Sequence, residues 1–593
     1  MNVLSSFLSR LFINVRTRLT RPQYIILVAV ITGFSSGLMA VLLKTMVHYL
    51  QQFLHELGWY YILFPVLGLL LTVWLVQLFW KNSYEKGIAM ALKAIAKKAS
   101  YIPTSNTYKH VVTSSLTVGF GGSAGLEAPI VATGSSFGSM FGRITDLNYQ
   151  ERTLMLACGA AAGIAAVFNA PIAGVIFAIE ILLAETLVSY FIPLMIASVT
   201  GVLCSKILLN ESALFNFLLE QDFNYLNVPY YIFLGILAGF ISLYYAKIFK
   251  FVERKVHFYQ LNAYAKALLA GVLLIIMVYF FPPLFGEGYK SVSHLANANT
   301  ANLITNNIFN LGNNNVVLLF FLGCIILLKP VAVAITLGSG GNGGNFAPSL
   351  FSGAFLGFFF SRLVNVTGIG KIPEGNFSLV AMAGLLSGVM YCPLTAIFLI
   401  AEITNGYGLF IPLMIVSALS FFIVKHFEPY SMETKKLAEE GEIFTHQKEK
   451  NILTTITIDT ILSDEYSSIS SQKKLTDLIE VIMTSDKNIF AVEDDKGIFC
   501  GIIELNDIKI LLFDKSNHDQ VLIRQIMKKP RAMIYIDEPV TAVMEKLDNA
   551  QSWYLPVVNR DKKFISFISK TKLFNRYREI LGAQSDIYEN NER

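Results

Sequence analysis

FNAPIAGVIFAIEI (Phe168–Ile181) and YCPLTAIFLIAEIT (Tyr391–Thr404) are two settings of one pattern. Each puts a proline at the head of an apolar helix with a carboxylate nine residues on, Pro171 with Glu180 and Pro393 with Glu402, and the copies lie 222 residues apart. A second pair of breakers stands upstream of each, GLEAP at Gly125–Pro129 and GNFAP at Gly344–Pro348, 219 residues apart. Proline suits a first helical position, where its missing N–H has no partner to lose. A long apolar chain repeated in this way, with Gly/Pro-broken helices at matching places, implies two membrane half-domains around a midplane site. The expected fold is an α-helical polytopic membrane protein of two inverted-topology repeats with broken, partially spanning helices. Transport is the function class that such a plan serves.

Composition agrees. The 593 residues are 54% hydrophobic and only 15% charged, and mean hydropathy is +0.53. A soluble protein of this length needs more charge to cover its surface. Tyr24–Leu43, Tyr60–Phe79, Ala267–Phe281 and Val316–Leu328 read as bilayer helices. Several other apolar runs fall short of the roughly 20 residues a span needs, as segments do that enter partway and line a protein-enclosed cavity. The net charge of +5 and the lack of a basic cluster exclude nucleic acid as a partner. Cys158, Cys204, Cys324, Cys392 and Cys500 have no CxxC spacing, so neither a disulfide nor a metal is assigned to them.

The N-terminal segment carries Arg10, Arg16, Arg18 and Arg21 and no acid, which puts it in the cytoplasm by the positive-inside rule. It lacks the h-region and cleavage site of a secretory signal. After Val424 the apolar character stops, and from about Lys435 the chain is mixed and soluble in type. A further repeat follows there, with an offset of 65: NIFAVEDDKGIFCGIIELNDIKIL (Asn488–Leu511) against WYLPVVNRDKKFISFISKTKLF (Trp553–Phe574). Helix-like stretches, Leu475–Met483 and Val540–Leu547, precede the two copies. The expected organisation is an amphipathic cytoplasmic segment over 1–22, a membrane domain over 23–434, a linker over 435–451, paired α/β modules over 452–518 and 519–583, and a tail over 584–593.

GFGGSAGLEAPIVATGSSFGS (Gly119–Ser139) and GSGGNGGNFAPSLFSGAFLG (Gly338–Gly357), with the two proline-headed segments above, make residues from about 25 to 431 resemble the CLC family of chloride channels and proton–chloride exchangers. The paired α/β modules resemble tandem CBS domains, adenosine-ligand sensors often fused to transporters. Physics supports the same site. A dehydrated anion needs positive potential without a trapping full charge, and helix N-termini offer about half an elementary charge each through unpaired N–H groups.

The resemblance assigns anion binding to Gly125, Leu126 and Glu127 in the first half and to Gly344, Asn345, Phe346 and Ala347 in the second. It makes Glu127 the gate, a carboxylate that occupies the anion's place when ionised and swings away when protonated; the ordinary alternative is a glutamate that satisfies a helix dipole. It also makes Tyr430, in the PYS stretch after the last span, a hydroxyl donor to the central anion, against the alternative of an interfacial aromatic anchor. The family's first anion motif is altered to EKGIA (Glu85–Ala89), which puts Lys86, Gly87 and Ile88 at the anion. A register three residues earlier puts Ser83 there instead, and Lys86 could equally reach water beside Glu85. Leu126 stands where the family usually has Arg or Lys, and Asn345 where it usually has an aliphatic residue. Ile181 stands where exchangers commonly have a second, proton-handling glutamate; Glu185, one turn on, could replace it as a relay.

The implied function is transmembrane chloride or other anion transport gated by a protonatable glutamate, channel-like or weakly proton-coupled. The alternatives are a proton-coupled exchanger of chloride or fluoride and, remotely, a CBS-bearing divalent-cation transporter, which would need oxygen-lined sites where this chain offers N–H groups. A membrane-bound enzyme lacks a catalytic cluster among the eight histidines. No cofactor is required. CBS sites often pair a hydroxyl with an aspartate three residues on; the first copy has Asp507 with Glu504, the second Ser569 with Lys572, so each keeps half and adenine nucleotide should bind weakly. The expected partners are small anions, protons, the lipid bilayer and a second copy of the chain, in a bacterial inner membrane with both termini cytoplasmic.

Overall fold

The computed structural model describes residues 17–80, 87–97, 100–183, 191–209, 223–258, 261–297, 315–404, 406–439, 456–462, 466–513 and 518–585. The chain divides into two compact units, Met1–Ile443 and Phe444–Arg593. In the first half of unit one the helices are α1 (Arg21–Glu56), α2 (Phe64–Trp80), α3 (Gly87–Lys97), α4 (Asn106–Gly119), α5 (Glu127–Ile144), α6 (Tyr149–Phe168), α7 (Pro171–Phe177, continued by a π-helical turn at Ala178–Leu182) and α8 (Phe191–Leu209). The second half has α9 (Val228–Phe258), α10 (Ala263–Phe280), α11 (Tyr289–Ala296), α12 (Asn315–Gly338), α13 (Phe346–Thr367), α14 (Glu374–Met390), α15 (Pro393–Ile403) and α16 (Phe410–Phe427), and α17 (Met432–Glu439) follows. Nine helical stretches among the described residues are long and apolar enough to cross a membrane, whereas Pro171–Leu182 and Pro393–Ile403 are shorter.

The duplication read in the sequence is a duplication of packing. In each half the broken-helix element lies on the helix after it, α5 on α6 and α13 on α14. Likewise α1 packs on α6 and α8, as α9 does on α14 and α16. Even the backbone exceptions repeat. Asn169 caps α6 at φ 56° and Tyr391 caps α14 at φ 61°, both left-handed and 222 residues apart. Asparagine tolerates that region, while a tyrosine held there needs surroundings that impose it; its hydroxyl is tied to the Glu428 carbonyl at 2.6 Å.

The paired carboxylates join the halves. Glu402 of α15 accepts the Ile172 and Ala173 N–H groups of α7 at 3.0 and 2.8 Å. Glu180 accepts the Leu394 and Thr395 N–H groups of α15 at 3.0 and 2.8 Å. Each short helix starts with unpaired donors, and each half supplies the cap that the other lacks.

Small residues set how closely the helices approach. A Cβ at Gly134 of α5 would stand 2.1 Å from the Gly159 carbonyl oxygen of α6, and one at Gly357 of α13 would stand 2.1 Å from Phe377 O of α14. Backbones touching like this replace the hydrophobic drive that lipid cannot supply, with hydroxyl hydrogen bonds added. Ser36 Oγ donates to Gly159 O at 2.6 Å.

In unit two, β1 (Ser468–Ser470), α18 (Leu475–Thr484), β2 (Ile489–Glu493), β3 (Phe499–Glu504) and α19 (Leu505–Phe513) form the first copy. The short helix α20 (Ile523–Ile526), β4 (Ile534–Tyr535), α21 (Val540–Asn549), β5 (Tyr554–Val558), β6 (Phe564–Ser569) and α22 (Lys570–Ser585) form the second. Both sheets run parallel then antiparallel in strand order, and both carry a register shift at equivalent places, Val492/Glu493 and Val557/Val558.

Candidate anion site where helix N-termini meet

Three helices of unit one begin at one place. The loops before α5 and α13 are bonded in both directions, Gly125 N–H to Gly344 O at 3.0 Å and Gly344 N–H to Gly125 O at 2.9 Å. At the start of α3, Gly87 has φ +55° and comes so near α5 that a Cβ on it would lie 3.0 Å from Ala128 Cβ. Partial positive charge from three N-termini is therefore concentrated in one buried region. Leu126, Glu127, Asn345, Phe346 and Ile88 are all at most 5% exposed. Phe346 is held between Phe168 and Phe177, with ring centroids at 5.6 and 6.2 Å.

Glu127 opens α5 and its carboxylate fills this region. Oε2 accepts the Ala347 N–H of α13 at 3.3 Å, and Oε1 accepts the hydroxyl of Tyr289. Gly125 must be glycine for this, since a Cβ there would lie 2.3 Å from Glu127 Oε2. A carboxylate thus sits on an amide that a small anion could use.

Groups that the sequence reading did not single out surround it. Glu287, in the loop before α11, stands beside the Leu126 N–H, and burial pushes its carboxyl up to about 8, with the Glu127 charge the next cause. Lys329, buried in α12, donates to Gly286 O at 3.1 Å and lies 4.4 Å from the centroid of the Phe351 ring. An ammonium within an apolar run just before Pro330 was a readable signal, since ionisable groups inside a membrane are costly and tend to be functional.

On the side of α17, Asn345 carries a polar network of its own. Its Oδ1 accepts the Tyr245 hydroxyl at 3.3 Å, and its side chain lies beside the Glu433 carboxyl. Glu253 and Lys250 of α9 are the charged groups around that carboxylate. One turn of α13 therefore touches two carboxylates, Glu127 through the Ala347 amide and Glu433 through Asn345.

Other expected residues lie elsewhere. Tyr430 is 45% exposed and lines a cavity of about 490 Å³ with Lys250, Arg254, Tyr391 and Glu428. The hydroxyl bonded to Asn345 is that of Tyr245, and the segment after Phe427 that carries Tyr430 is fixed by Tyr391 and by Lys435–Glu428 at 2.6 Å. Lys86, Ser83, Glu85 and Glu185 lie outside the described residues. Ile181 is in the π-helical turn with Glu180, whose carboxylate is committed to capping α15. In unit two Asp507 pairs with Lys528 at 2.8 Å, whereas Ser569 lines a polar cavity of about 380 Å³ with Tyr466, Lys487 and Lys572. Asp507 is not among the residues that line that cavity. No cluster of His, Cys, Asp or Glu among the described residues could hold a metal.

Comparison with known proteins agrees with this geometry. The family model described as voltage gated chloride channel matches residues 68–425, and a CBS domain model matches residues 523–579. Chloride channel protein CLC-f of Arabidopsis thaliana is 25% identical over 460 residues, which is 68% of this chain and 57% of that protein. The voltage-gated ClC-type chloride channel ClcB of Escherichia coli is 29% identical over 320 residues, 52% of this chain and 70% of the other. The chain thus spans little over half the length of the plant relative. A slow cyanobacterial Cl⁻/H⁺ antiporter aligns in structure with a TM-score of 0.61 at 22% identity, over 72% of this chain and 100% of that one. A CLC-type fluoride/proton antiporter aligns at 0.56 and 21%, over 69% and 97%.

Proposed function

The chain belongs to the voltage gated chloride channel family, and we propose that it carries chloride or a like small anion across a bilayer through the junction of α3, α5 and α13. The observation that carries this reading is the carboxylate of Glu127 on the Ala347 amide. Ionised, it holds the place of the anion. Protonated, it gives up that attraction, and an anion takes over the N–H groups. Gly125, Leu126, Gly344, Asn345, Phe346 and Ala347 supply the scaffold, and Gly87 and Ile88 complete it from α3. The pathway is channel-like or weakly proton-coupled.

With Arg21 in the cytoplasm, the end of α1 that carries Lys44 and His48 faces outside. We assign the protein to a plasma membrane, as a homodimer, with CBS modules that bind adenine nucleotides in the high micromolar range or more weakly.

A second reading, coupled exchange of an anion for a proton, is favoured by one observation. Ile181 removes the usual inner carboxylate, but Glu433 reaches the same turn of α13 through Asn345, so a proton acceptor exists on the cytoplasmic side. The related structures named as chloride and fluoride antiporters leave either anion open. Both readings are tested by reconstituting the protein in liposomes and recording chloride or fluoride flux together with proton movement. Anion flux without proton movement supports the first reading, fixed-ratio counterflow supports the second, and absence of any anion flux would overturn both.

A further inference from the structure

A cavity of about 720 Å³ opens on the first turn of α5. Its walls are α1, with Lys44 and His48, and α11, with Tyr289, Lys290 and His294; Leu126 and Glu287 also line it. Two residues of the GEGY loop (Gly286–Tyr289) grip that turn in parallel. Tyr289 donates its hydroxyl to Glu127, and the Glu287 carboxyl stands beside the Leu126 N–H. The loop is shaped for this grip. Gly286 and Gly288 have φ of +60° and +84°, and a Cβ on Gly288 would strike the Phe351 ring at 2.5 Å. The Gly286 N–H is bonded to Gly121 O at 3.2 Å, and Lys329 holds the Gly286 carbonyl. The loop therefore keeps a carboxylate beside an amide that an arriving anion would need.

We propose that Glu287 is an outer gate, whose ionised carboxylate blocks the Leu126 amide and whose protonation releases that amide to an anion entering from the cavity. The proposal rests on the reading of Glu127 as the inner gate and adds a second carboxylate in series with it. Glu127 holds the Ala347 N–H at 3.3 Å and Glu287 stands beside the Leu126 N–H, so each of the two amides has its own carboxylate. The charges around Glu287 are Lys44 from α1 and Lys329 from α12, which favour its ionised form, and Glu127 from α5, which opposes it. Tyr289, Lys290 and His294 face the cavity from α11, and His48 from α1. With its carboxyl at about 8, Glu287 is mostly protonated at pH 7 and mostly ionised at pH 9. The sign follows directly: protons open this gate, and alkaline solution closes it.

The experiment is chloride efflux from liposomes at symmetrical pH 7 and pH 9 for the wild type, Glu287→Gln and Glu127→Gln, each first shown to be folded by size exclusion. The protonated fraction of a group titrating near 8 falls from roughly 0.9 to 0.1 over this range, so the wild-type flux ratio between the two pH values should be about tenfold. Glu287→Gln should reduce that ratio to about one. Glu127→Gln removes a like charge, so the step should persist but move to lower pH. A wild-type step retained in Glu287→Gln overturns the outer gate even if Glu127→Gln behaves as a gate variant should. Wild-type flux and step in both variants overturn the inner gate as well. Should Glu287→Gln fail to fold, Glu287→Asp serves: it keeps the charge but is too short to hold the amide, and an unchanged step there equally overturns the proposal.

Discussion

The first turns of α5 and α13 share a backbone design and differ in one side chain. Both follow a glycine bridged to its counterpart, and both carry a proline two residues after the opening residue, Pro129 and Pro348. Yet α5 opens on Glu127 and α13 on Phe346. Duplication thus supplies the amides twice, while the protonatable group is supplied once. The pair Glu180 and Glu402 shows the opposite case, in which duplication kept the carboxylate in both halves and both cap a helix. The symmetric acids cap helices, and the unsymmetric one is the residue proposed as the gate.

Substitutions that treat the halves alike test the frame. Gly134→Leu and Gly357→Leu place side chains where backbone oxygens stand at 2.1 Å. Overpacking costs about 1–3 kcal/mol where neighbours can shift, and these contacts are backbone, which cannot yield. Neither variant should give monodisperse folded protein on size exclusion. A folded, active Gly134→Leu would show that α5 and α6 are more loosely packed than described.

Changes at the opening residue should separate the halves. Glu127→Gln should change gating and remove the part of the pH response that outlasts neutralisation of Glu287, while Phe346→Leu should alter flux by a few fold and leave the pH response in place. Flux recorded from pH 5 to 9 decides between them. Matching profiles for the two variants would mean that the asymmetry has no functional content.

For the symmetric carboxylates the expectation is equality. Glu180→Ala and Glu402→Ala each strip two N–H groups of their cap, for which about 0.5–2 kcal/mol per helix is usual. Their thermal midpoints should fall by similar amounts, and pH dependence of flux should stay that of the wild type. A changed pH response in Glu180→Ala alone would assign that residue to the proton path.

Much of this frame was legible in the sequence because it is written in residues with local consequences. Pro171 and Pro393 fix helix starts, and the glycines of GLEAP and GNFAP permit backbone contact that no other residue allows. The repeat offset then relates the halves before any contact is known. Glu127 was legible for the same reason, as an acid at a helix start in a repeat whose other copy has none. What escaped notice depends on tertiary placement. Tyr245, Glu287, Tyr289 and Glu433 are ordinary residues in their own segments and acquire meaning only when loops and helices far apart in sequence meet at α5 and α13. Tyr430, which the PYS stretch marks as a ligand, lies half-exposed next to the turn held by Tyr391 and Lys435. A motif records a neighbourhood in sequence, and that turn decides where its hydroxyl ends up.

Asn345 gives the finest test of the comparison, because it is the polar residue that the second half has at its helix start. Asn345→Leu makes that turn wholly apolar. It removes the amide that now joins Tyr245 to Glu433, leaving a hydroxyl and a carboxylate to find other partners. A lost hydrogen bond of this kind costs about 1 kcal/mol net, partly offset by burial of an apolar side chain. The thermal midpoint should therefore shift by only a few degrees. The functional effect has a clearer sign. When ionised, Glu433 opposes an anion at the α13 amides, and Leu at 345 would free that carboxylate to turn toward Lys250. Chloride should then bind about threefold more tightly, ~0.6 kcal/mol by the affinity relation, and Glu433→Gln should reproduce the gain. Calorimetric titration of chloride into the purified variants measures both. Weaker binding in Asn345→Leu would mean that the amide side chain itself contacts the anion, and the polar turn of α13 would then be a ligand in its own right and not a tether for Glu433.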